Sequence, residues 1–263
     1  MIQLSERLKN VVDLVLPAET VADVGCDHGY VAIRLVQQGK AKSVIAMDVG
    51  KGPLSRAKEH IIQYGMEKQI ETRLSDGVEA LVCGEADCLI CAGMGGKLVT
   101  GILERGLAVV RQMKALVLQP QSDISYVRAW LREHDFRIDA ERMVCEDGKF
   151  YPMFRVIPEP VQEKTCCPEE MFGTEADKQC GQMTAIVRQR IEDRYGPLLL
   201  AEADPVLYCF LEKEHKIYAE ILSGLEEVAQ NAENIEARKA QLQEYLDDIE
   251  TAKAYYYAER SQI

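Results

Sequence analysis

The sequence predicts an α/β fold in which a Rossmann-like, seven-stranded mixed sheet is followed by a helical hairpin resembling a coiled coil. Three observations support this prediction. Short apolar runs alternate with amphipathic runs as far as residue 134, as in parallel sheets with helical crossovers. Two β-rich runs then flank Asp147-Gly148, a dipeptide favoured in tight hairpins. Finally, apolar residues recur every three or four positions near the carboxyl end.

The alternating part contains five predicted strands and five predicted helices. Its first helix is amphipathic, precedes the first strand, and is expected to pack on the sheet. Asp123 is a candidate cap for the last helix of this part. The predicted strands are about 20–25, 43–48, 70–74, 87–91 and 114–118, and the predicted helices are about 4–15, 29–38, 53–65, 97–112 and 123–134.

The remaining elements predict where the domains divide. Runs 136–146 and 149–157 form the hairpin, so residues 1–157 complete a mixed sheet. Residues 158–181 have little periodicity and are predicted to be a linker. Two amphipathic helices, about 207–228 and 235–256, follow. We therefore expect two domains, residues 1–157 and 158–263.

Composition limits the functional classes. The net charge of −12 argues against an indiscriminate nucleic-acid binder, but residues 1–157 carry only −1 of it. No apolar run reaches the roughly 20 residues needed to cross a bilayer. The amino terminus lacks the layout of a signal peptide, so we expect a cytoplasmic protein without a membrane partner.

The nine cysteines do not predict a metal site. They are odd in number and scattered, as is typical of reduced thiols. Cys88 and Cys91 fall in one predicted strand, where residues three apart face opposite sides of the sheet. We expect small buried or surface thiols and no metal.

The turn after the first strand is the strongest functional signal. The apolar run from Val21 ends at Gly25, and a helix follows Gly29, which places the turn where α/β folds bind nucleotides. Between the two glycines stands Asp27, so the dinucleotide fingerprint G-x-G-x-x-G is absent. A carboxylate would repel a pyrophosphate but attract an ammonium group. His28 is equally consistent with a substrate contact and with a simple turn residue.

Later strand ends carry further candidates. Asp48 ends the second strand 23 residues after Gly25 and fits a ribose ligand. Asp76-Gly77 ends the third strand, where a polar side chain reaches an adenine amino group or simply makes a turn. The glycine cluster Gly93–Gly96 leaves room for a base, and Gln119 and Gln121 offer amides to its edge. A tight turn explains each of these last two groups equally well.

Together these motifs resemble the bacterial tRNA adenine-22 N1-methyltransferases, the TrmK family. The resemblance covers most of the chain and is weakest in 158–181. The runs that carry it are Leu4–Leu8, Asp23–Tyr30, Asp48-Val49, Ser75–Gly77, Ala92–Gly96 and Leu118–Gln121.

The resemblance implies a class I S-adenosyl-L-methionine methyltransferase that acts on N1 of adenine 22 in the D-arm of tRNA. For the catalytic residues we expect Gln119, Gln121 and His28, and carbonyl groups near Gly93 are an alternative for holding the base edge. The helical domain would help to dock tRNA, either through shape contacts or through a few basic residues such as Arg188, Arg190 and Arg194. The implied cofactor-binding residues are Gly25, Cys26, Asp27, Asp48, Val49, Asp76, Gly77, Gly93, Met94 and Gly95.

Other functions stay open from the sequence. One alternative is a methyltransferase that uses the same cofactor on another RNA or on a small molecule. An NAD-dependent oxidoreductase and a non-enzymatic scaffold built on the helical hairpin are the alternatives from other classes. A monomer or a weak dimer is expected.

Overall fold

A computed structural model describes residues 2–160, 184–226 and 233–257. The chain divides into two compact units, Met1–Cys166 and Cys167–Ile263. The predicted linker at 158–181 lies almost wholly outside the described residues. The domain boundary after residue 157 therefore stays a prediction.

The first unit is a seven-stranded mixed sheet with helices on both faces, as the sequence predicts. The strands are β1 Ala18–Val24, β2 Ala41–Asp48, β3 Ile70–Leu74, β4 Cys88–Met94, β5 Ala115–Pro120, β6 Phe136–Glu146 and β7 Lys149–Pro158. The helices are α1 Glu6–Leu14, α2 Tyr30–Gln37, α3 Lys51–Gln63, α4 Gly96–Arg105, α5 Leu107–Val110 and α6 Ile124–Glu133. The strand order is β3-β2-β1-β4-β5-β7-β6, and only β7 pairs antiparallel to both of its neighbours.

Two apolar cores lie on opposite faces of this sheet. Helices α1, α2 and α3 cover one face, with Val11, Ile33 and Ile61 among its buried side chains. Helices α4, α5 and α6 cover the other, with Leu103 and Leu131 fully buried. Both faces are covered because parallel strands are joined by right-handed helical crossovers.

The two strand cysteines lie on opposite faces of the sheet. Cys88 belongs to the core under α1, α2 and α3, and Cys91 belongs to the core under α4, α5 and α6. The period-two argument is therefore confirmed, and these two thiols do not share a site.

One predicted helix is wrong in its extent. The run 97–112 forms two helices, α4 and α5, which are interrupted at Gly106. A Cβ at Gly106 would lie only 2.0 Å from Val78 Cγ2, so only glycine allows this close approach.

The capping role predicted for Asp123 is also wrong. Its backbone is left-handed (φ 50°), and its side chain makes no cap hydrogen bond to α6. The carboxylate instead accepts a hydrogen bond from Ser122 Oγ at 2.7 Å.

The β6–β7 hairpin is confirmed. Asp147 and Gly148 both have positive φ, at 50° and 72°. Type I′ turns require this geometry, and their twist matches that of the flanking strands. The hairpin adds β7 beside β5 and completes the sheet.

The second unit is helical over its described residues. Its elements are α7 Ala185–Tyr195, α8 Pro197–Ala201, α9 Pro205–Glu226, α10 Glu233–Ala252 and a π-helical turn at Lys253–Tyr257. Helices α9 and α10 correspond to the two predicted amphipathic helices and pack together through residues such as Tyr218 and Tyr245. Helices α7 and α8 were not predicted.

Two of the arginines expected to contact RNA are used inside the helical unit. Arg190 and Arg194 donate to the two oxygens of Asp248, at 2.6 and 2.9 Å. Asp248 is 1% exposed, so the two guanidinium groups neutralise a buried carboxylate. Arg188 is exposed.

None of the helices in residues 2–160, 184–226 and 233–257 is long and apolar enough to cross a membrane.

Candidate active site

The candidate site lies where β1, β2, β4 and β5 end. The chain leaves β1 toward β2 on one side, and β4 lies on the other, so the strand order reverses beside β1. Open parallel sheets bind ligands at such a switch point. A cavity of about 370 Å³ lies there, lined by Arg7, Leu8, Asp23, Gly25, Cys26, Asp27, His28, Tyr30, Val31, Ala92, Gly93, Met94 and Gln121.

Gly25 lets the turn after β1 approach the end of β4 closely. We call the segment at that end, which contains Gly93 and Met94, the strand-4 turn. The N–H groups of Gly25 and Cys26 both donate to the Met47 carbonyl on β2, at 2.8 and 2.9 Å. Gly25 has φ +73°, and a Cβ there would lie 2.2 Å from Met94 Cε. A side chain at Gly25 would therefore collide with Met94 and narrow the cavity.

Asp27 adopts a left-handed backbone, with φ 46°, a conformation that Asp tolerates better than most residues. Its side chain is 63% exposed and lies 3.4 Å from His28 Nε2 and 3.5 Å from Arg56 Nη2. The turn closes at Gly29 (φ 72°), whose N–H donates to the Cys26 carbonyl. Asp27 thus offers an accessible carboxylate at the cavity.

Asp23 is a functional candidate that the sequence reasoning missed. It is 3% exposed, it lines the cavity, and its Oδ2 has no hydrogen-bond partner. Burial, and secondly the charge of Asp48, raise the pKa of this carboxyl from 3.8 to about 7. The signal was present as a lone acid inside the apolar run Val21–Val24. A buried polar atom without a partner calls for a ligand or another explanation.

The ends of β2 and β3 form a second cavity, also of about 370 Å³. Val49, which is 72% exposed, lines it together with Leu74, Ser75 and Asp76. Asp76 accepts a hydrogen bond from Arg105 at 3.0 Å. Gly77 (φ +59°) lies where a Cβ would be 2.8 Å from Ile102. Val49 and Asp76, two of the predicted cofactor-binding residues, therefore line one cavity.

Asp48 lies at the end of β2 with one oxygen engaged locally. Its Oδ1 accepts the Gly50 N–H at 2.8 Å, and its backbone carbonyl accepts the Ser75 N–H at 3.0 Å. These bonds hold the carboxylate at the strand end, where a ribose ligand is expected.

Gln119 holds the strand-4 turn from inside the protein. The side chain is fully buried, and its Oε1 accepts from the Gly93 N–H at 3.1 Å and from Arg7 Nη1 at 2.8 Å. It does not appear among the described residues that line the cavity. We therefore propose that Gln119 positions Gly93 and Arg7, and that it does not touch the substrate.

Arg7 is the second candidate that the sequence reasoning missed. It comes from α1, which was expected only to pack on the sheet, yet it lines the cavity. Gln119 and the ring of Tyr151, 5.6 Å from the guanidinium carbon, hold it there. Its membership of the run Leu4–Leu8 was the available signal.

Three further predicted residues lie near the first cavity, at the turns that follow β1, β4 and β5. Gln121 is exposed, lines the cavity, and donates its backbone N–H to the Met94 carbonyl at 2.8 Å. Gly95 precedes α4 as its N-cap. Cys26 also lines the cavity, but burial raises the pKa of its thiol, so it stays protonated.

Three aromatic rings stand together at the β1 turn. Tyr30 stacks on His60 with 4.7 Å between ring centroids, and His28 lies 5.5 Å from Tyr30. His28 and Tyr30 line the cavity. His60 comes from α3 and was not predicted from the sequence.

This site fits S-adenosyl-L-methionine better than a dinucleotide. Asp23 and Asp27 place two carboxyl groups in a lining that also contains Arg7. A carboxylate attracts an ammonium or sulfonium group and repels a pyrophosphate. Gly25 keeps open a space that a side chain would fill. The part of the chain that the structure describes contains no cluster of three or more residues suited to bind a metal.

Comparison with known proteins agrees with this geometry. Residues 4–154, which include the whole candidate site, match a family described as a methyltransferase domain. A curated relative, the tRNA (adenine(22)-N(1))-methyltransferase of Bacillus subtilis, is 35% identical over 150 residues. The matched part is 57% of this chain and spans 63% of that relative's length.

Solved structures match nearly the whole chain. The crystal structure of the Bacillus subtilis m1A22 tRNA methyltransferase TrmK has a TM-score of 0.77 and 25% identity, covering 96% of this chain and 99% of that one. A Streptococcus pneumoniae protein crystallised in complex with S-adenosyl-L-methionine has a TM-score of 0.75 and 28% identity, covering 95% and 99%.

Proposed function

The chain belongs to the methyltransferase-domain family, and on that premise we propose that it transfers a methyl group from S-adenosyl-L-methionine to N1 of adenine 22 in the D-arm of tRNA. The observation that carries the proposal is the buried carboxyl of Asp23, whose Oδ2 has no hydrogen-bond partner, at a cavity between two glycine turns. The reported activity of the Bacillus subtilis relative supports the choice of substrate.

S-adenosyl-L-methionine, when bound, supplies an electrophilic methyl group on a sulfonium. Asp23 and Asp27 would hold its ammonium group, since both carboxylates face the cavity. Asp48 would accept hydrogen bonds from the ribose hydroxyls, and Asp76 from the adenine amino group. Gly25 brings the backbone close to the ligand because it has no side chain.

The same cavity also offers polar and aromatic groups to a substrate base. Arg7, His28, Tyr30 and Gln121 line it together. A target base inside a helical stem must leave the stack to reach such a pocket. Aromatic rings and an amide then bind its face and its edge. We propose that Gln121 contacts the edge of the base and that the rings of His28 and Tyr30 enclose the base.

Catalysis would rest mainly on positioning. Adenine N1 already carries a lone pair, so the nucleophile needs no prior deprotonation. Holding the base and the methyl donor in line removes most of the entropic cost of their encounter. The role of Gln119 is then indirect, because it fixes Gly93 and Arg7 around the reacting groups.

We propose that residues 1–157 carry out the methyl transfer and that residues 158–263 help to dock tRNA. Arg190 and Arg194 already neutralise Asp248, so we expect docking to rely less on their charge. A tRNA substrate implies a cytoplasmic enzyme. A monomer or a weak dimer stays a prediction.

The test is methylation of unmodified tRNA with labelled S-adenosyl-L-methionine, mapped by reverse transcription. A methyl group on N1 blocks base pairing, so we expect a stop at adenine 22. A transcript with guanine at position 22 is the matched control and should show neither stop nor label.

Two outcomes would contradict the assignment. Label on RNA without a stop at position 22 would favour another nucleotide or RNA. No label on any tRNA, with intact cofactor binding, would favour a small-molecule substrate.

A further inference from the structure

Helix α3 packs against the β1 turn at Gly29. A Cβ on Gly29 would lie 3.2 Å from Ala57 Cβ, so the backbone of the turn lies directly on α3. His60 follows Ala57 by three residues and therefore lies on the same side of α3. This packing places a histidine from α3 beside the cavity residues His28 and Tyr30.

The hydrogen bonds of His60 define where its proton lies. Its Nδ1 is 2.9 Å from the His28 carbonyl oxygen. A carbonyl only accepts, so Nδ1 carries the hydrogen. In the neutral ring Nε2 is then an acceptor.

This tautomer sets the direction of the Tyr30 hydroxyl. The Tyr30 oxygen lies 3.4 Å from His60 Nε2, and the two rings stack. Because Nε2 accepts, the hydroxyl donates its proton toward His60. The lone pairs of the Tyr30 oxygen then point away from His60, and Tyr30 lines the cavity.

The hydroxyl oxygen of Tyr30, as a hydrogen-bond acceptor at the cavity, is complementary to a donor on the edge of the target base. Beside N1, adenine carries an exocyclic amine, whose hydrogens are donors. Methylation at N1 gives the ring a positive charge that the amine shares. A hydrogen bond from that amine to an oxygen acceptor therefore strengthens as the reaction proceeds.

We propose that His60 is a positioning residue that makes the Tyr30 hydroxyl an acceptor for the exocyclic amine of the adenine being methylated. This inference rests on the proposed function. It gives His60 no contact with the methyl donor, so its loss should lower turnover on RNA and leave cofactor affinity unchanged.

Two conservative variants separate the orientation of Tyr30 from the packing of the turn. In His60→Asn the amide nitrogen can replace Nδ1 and keep the bond to the His28 carbonyl, but nothing replaces Nε2. In His60→Gln the amide oxygen can replace Nε2 as an acceptor for Tyr30, but the bond to His28 is lost. Tyr30→Phe removes the hydroxyl itself.

The experiment measures kcat on a tRNA transcript and the Kd for S-adenosyl-L-methionine for each protein. We expect His60→Asn and Tyr30→Phe each to lower kcat by roughly fivefold to tenfold, the value of one neutral hydrogen bond. His60→Gln should stay within about twofold of the wild type. The double variant Tyr30→Phe with His60→Asn should lose no more than Tyr30→Phe alone.

Several results would overturn the inference. These are full kcat in His60→Asn, equal losses in the Asn and Gln variants, additive losses in the double variant, or loss of cofactor binding in His60→Asn. A wild-type protein that binds cofactor but methylates no tRNA adenine would instead refute the proposed function, and the inference with it.

Discussion

The protein buries two aspartates in contrasting ways. Asp248, 1% exposed, has both oxygens bound by guanidinium groups of the helical unit. Asp23, 3% exposed, has an oxygen without a partner and lines a cavity. A buried charge is normally paired, as Asp248 is. The difference supports the proposal that Asp23 binds a cationic ligand, whereas Asp248 stabilises the helical unit.

The largest expected effect is a pH-dependent gain in stability for Asp23→Asn without ligand. The pKa of Asp23 is about 7 in the folded protein, and its ordinary value, which applies to the unfolded chain, is 3.8. Between these values the folded state holds a proton that the unfolded state lacks, so this group lowers wild-type stability as pH rises. The gain from Asp23→Asn should therefore be roughly 3 kcal/mol larger at pH 8 than at pH 5.

Urea unfolding followed by the fluorescence of Trp130 measures this gain in the first unit. Trp130 is the only tryptophan of the chain and is a buried residue of α6. A gain that is equal at both pH values would contradict an unpaired Asp23.

The opposite result is expected for Asp248→Ala. It leaves Arg190 and Arg194 without their shared carboxylate and should lower the free energy of unfolding by about 2 kcal/mol, because both arginines are partly exposed. Circular dichroism during urea unfolding measures the loss. The control is Glu244→Ala, which removes an exposed partner of Arg190 and should cost about 0.5 kcal/mol or less. If both variants lost the same free energy of unfolding, the buried carboxylate of Asp248 would matter no more to stability than the exposed one of Glu244, which would contradict this account.

Ligand affinity should depend on pH through Asp23. The ammonium group of S-adenosyl-L-methionine pairs only with the ionised carboxylate, so affinity should rise about tenfold per pH unit up to about 7 and then level off. Isothermal titration between pH 5.5 and 8 checks this. Asp23→Asn should lose the slope, and a wild-type affinity that is flat across this range would count against the assignment.

The smallest expected effect concerns the backbone of the cavity. Gly25 and Gly39 have similar left-handed backbones, with φ +73° and +67°. Alanine at either position should cost about 1 kcal/mol of stability. Only Gly25 approaches Met94 at the cavity, while nothing lies within 4 Å of a Cβ on Gly39. Gly25→Ala alone should weaken binding of S-adenosyl-L-methionine in a titration, and equal binding by the two variants would contradict this geometry.

The sequence predicts the fold well where a local pattern decides it. The alternation of strands and helices and the hairpin at Asp147-Gly148 follow from periodicity and turn chemistry. It fails at Gly106, where the close approach of Val78 from another segment interrupts a continuous helical pattern.

The candidate site also has residues that a local sequence pattern reveals and residues that only the packing of distant segments brings together. Its glycines and strand-end acids are visible in the sequence because each marks the end of a strand. Arg7 and Gln119 meet across 112 positions, and His60 reaches Tyr30 only because α3 packs on Gly29. The missing partner of Asp23 depends on everything packed around it, so no local pattern shows it.

The resemblance to the TrmK family, which the comparisons confirm, rests on motifs that lie in the methyltransferase domain. The role expected for the arginines of the helical unit stays a prediction. Arg190 and Arg194 both bind the buried carboxylate of Asp248, so part of their charge is already balanced within that unit.

The most direct test of the central claim is a titration of S-adenosyl-L-methionine into three proteins at pH 8: wild type, Asp23→Asn and Asp248→Asn. A charged hydrogen bond is worth roughly 1.5 to 3 kcal/mol, so Asp23→Asn should bind at least tenfold more weakly than the wild type. Asp248→Asn should bind as tightly as the wild type. Equal affinity of Asp23→Asn and wild type would contradict the account.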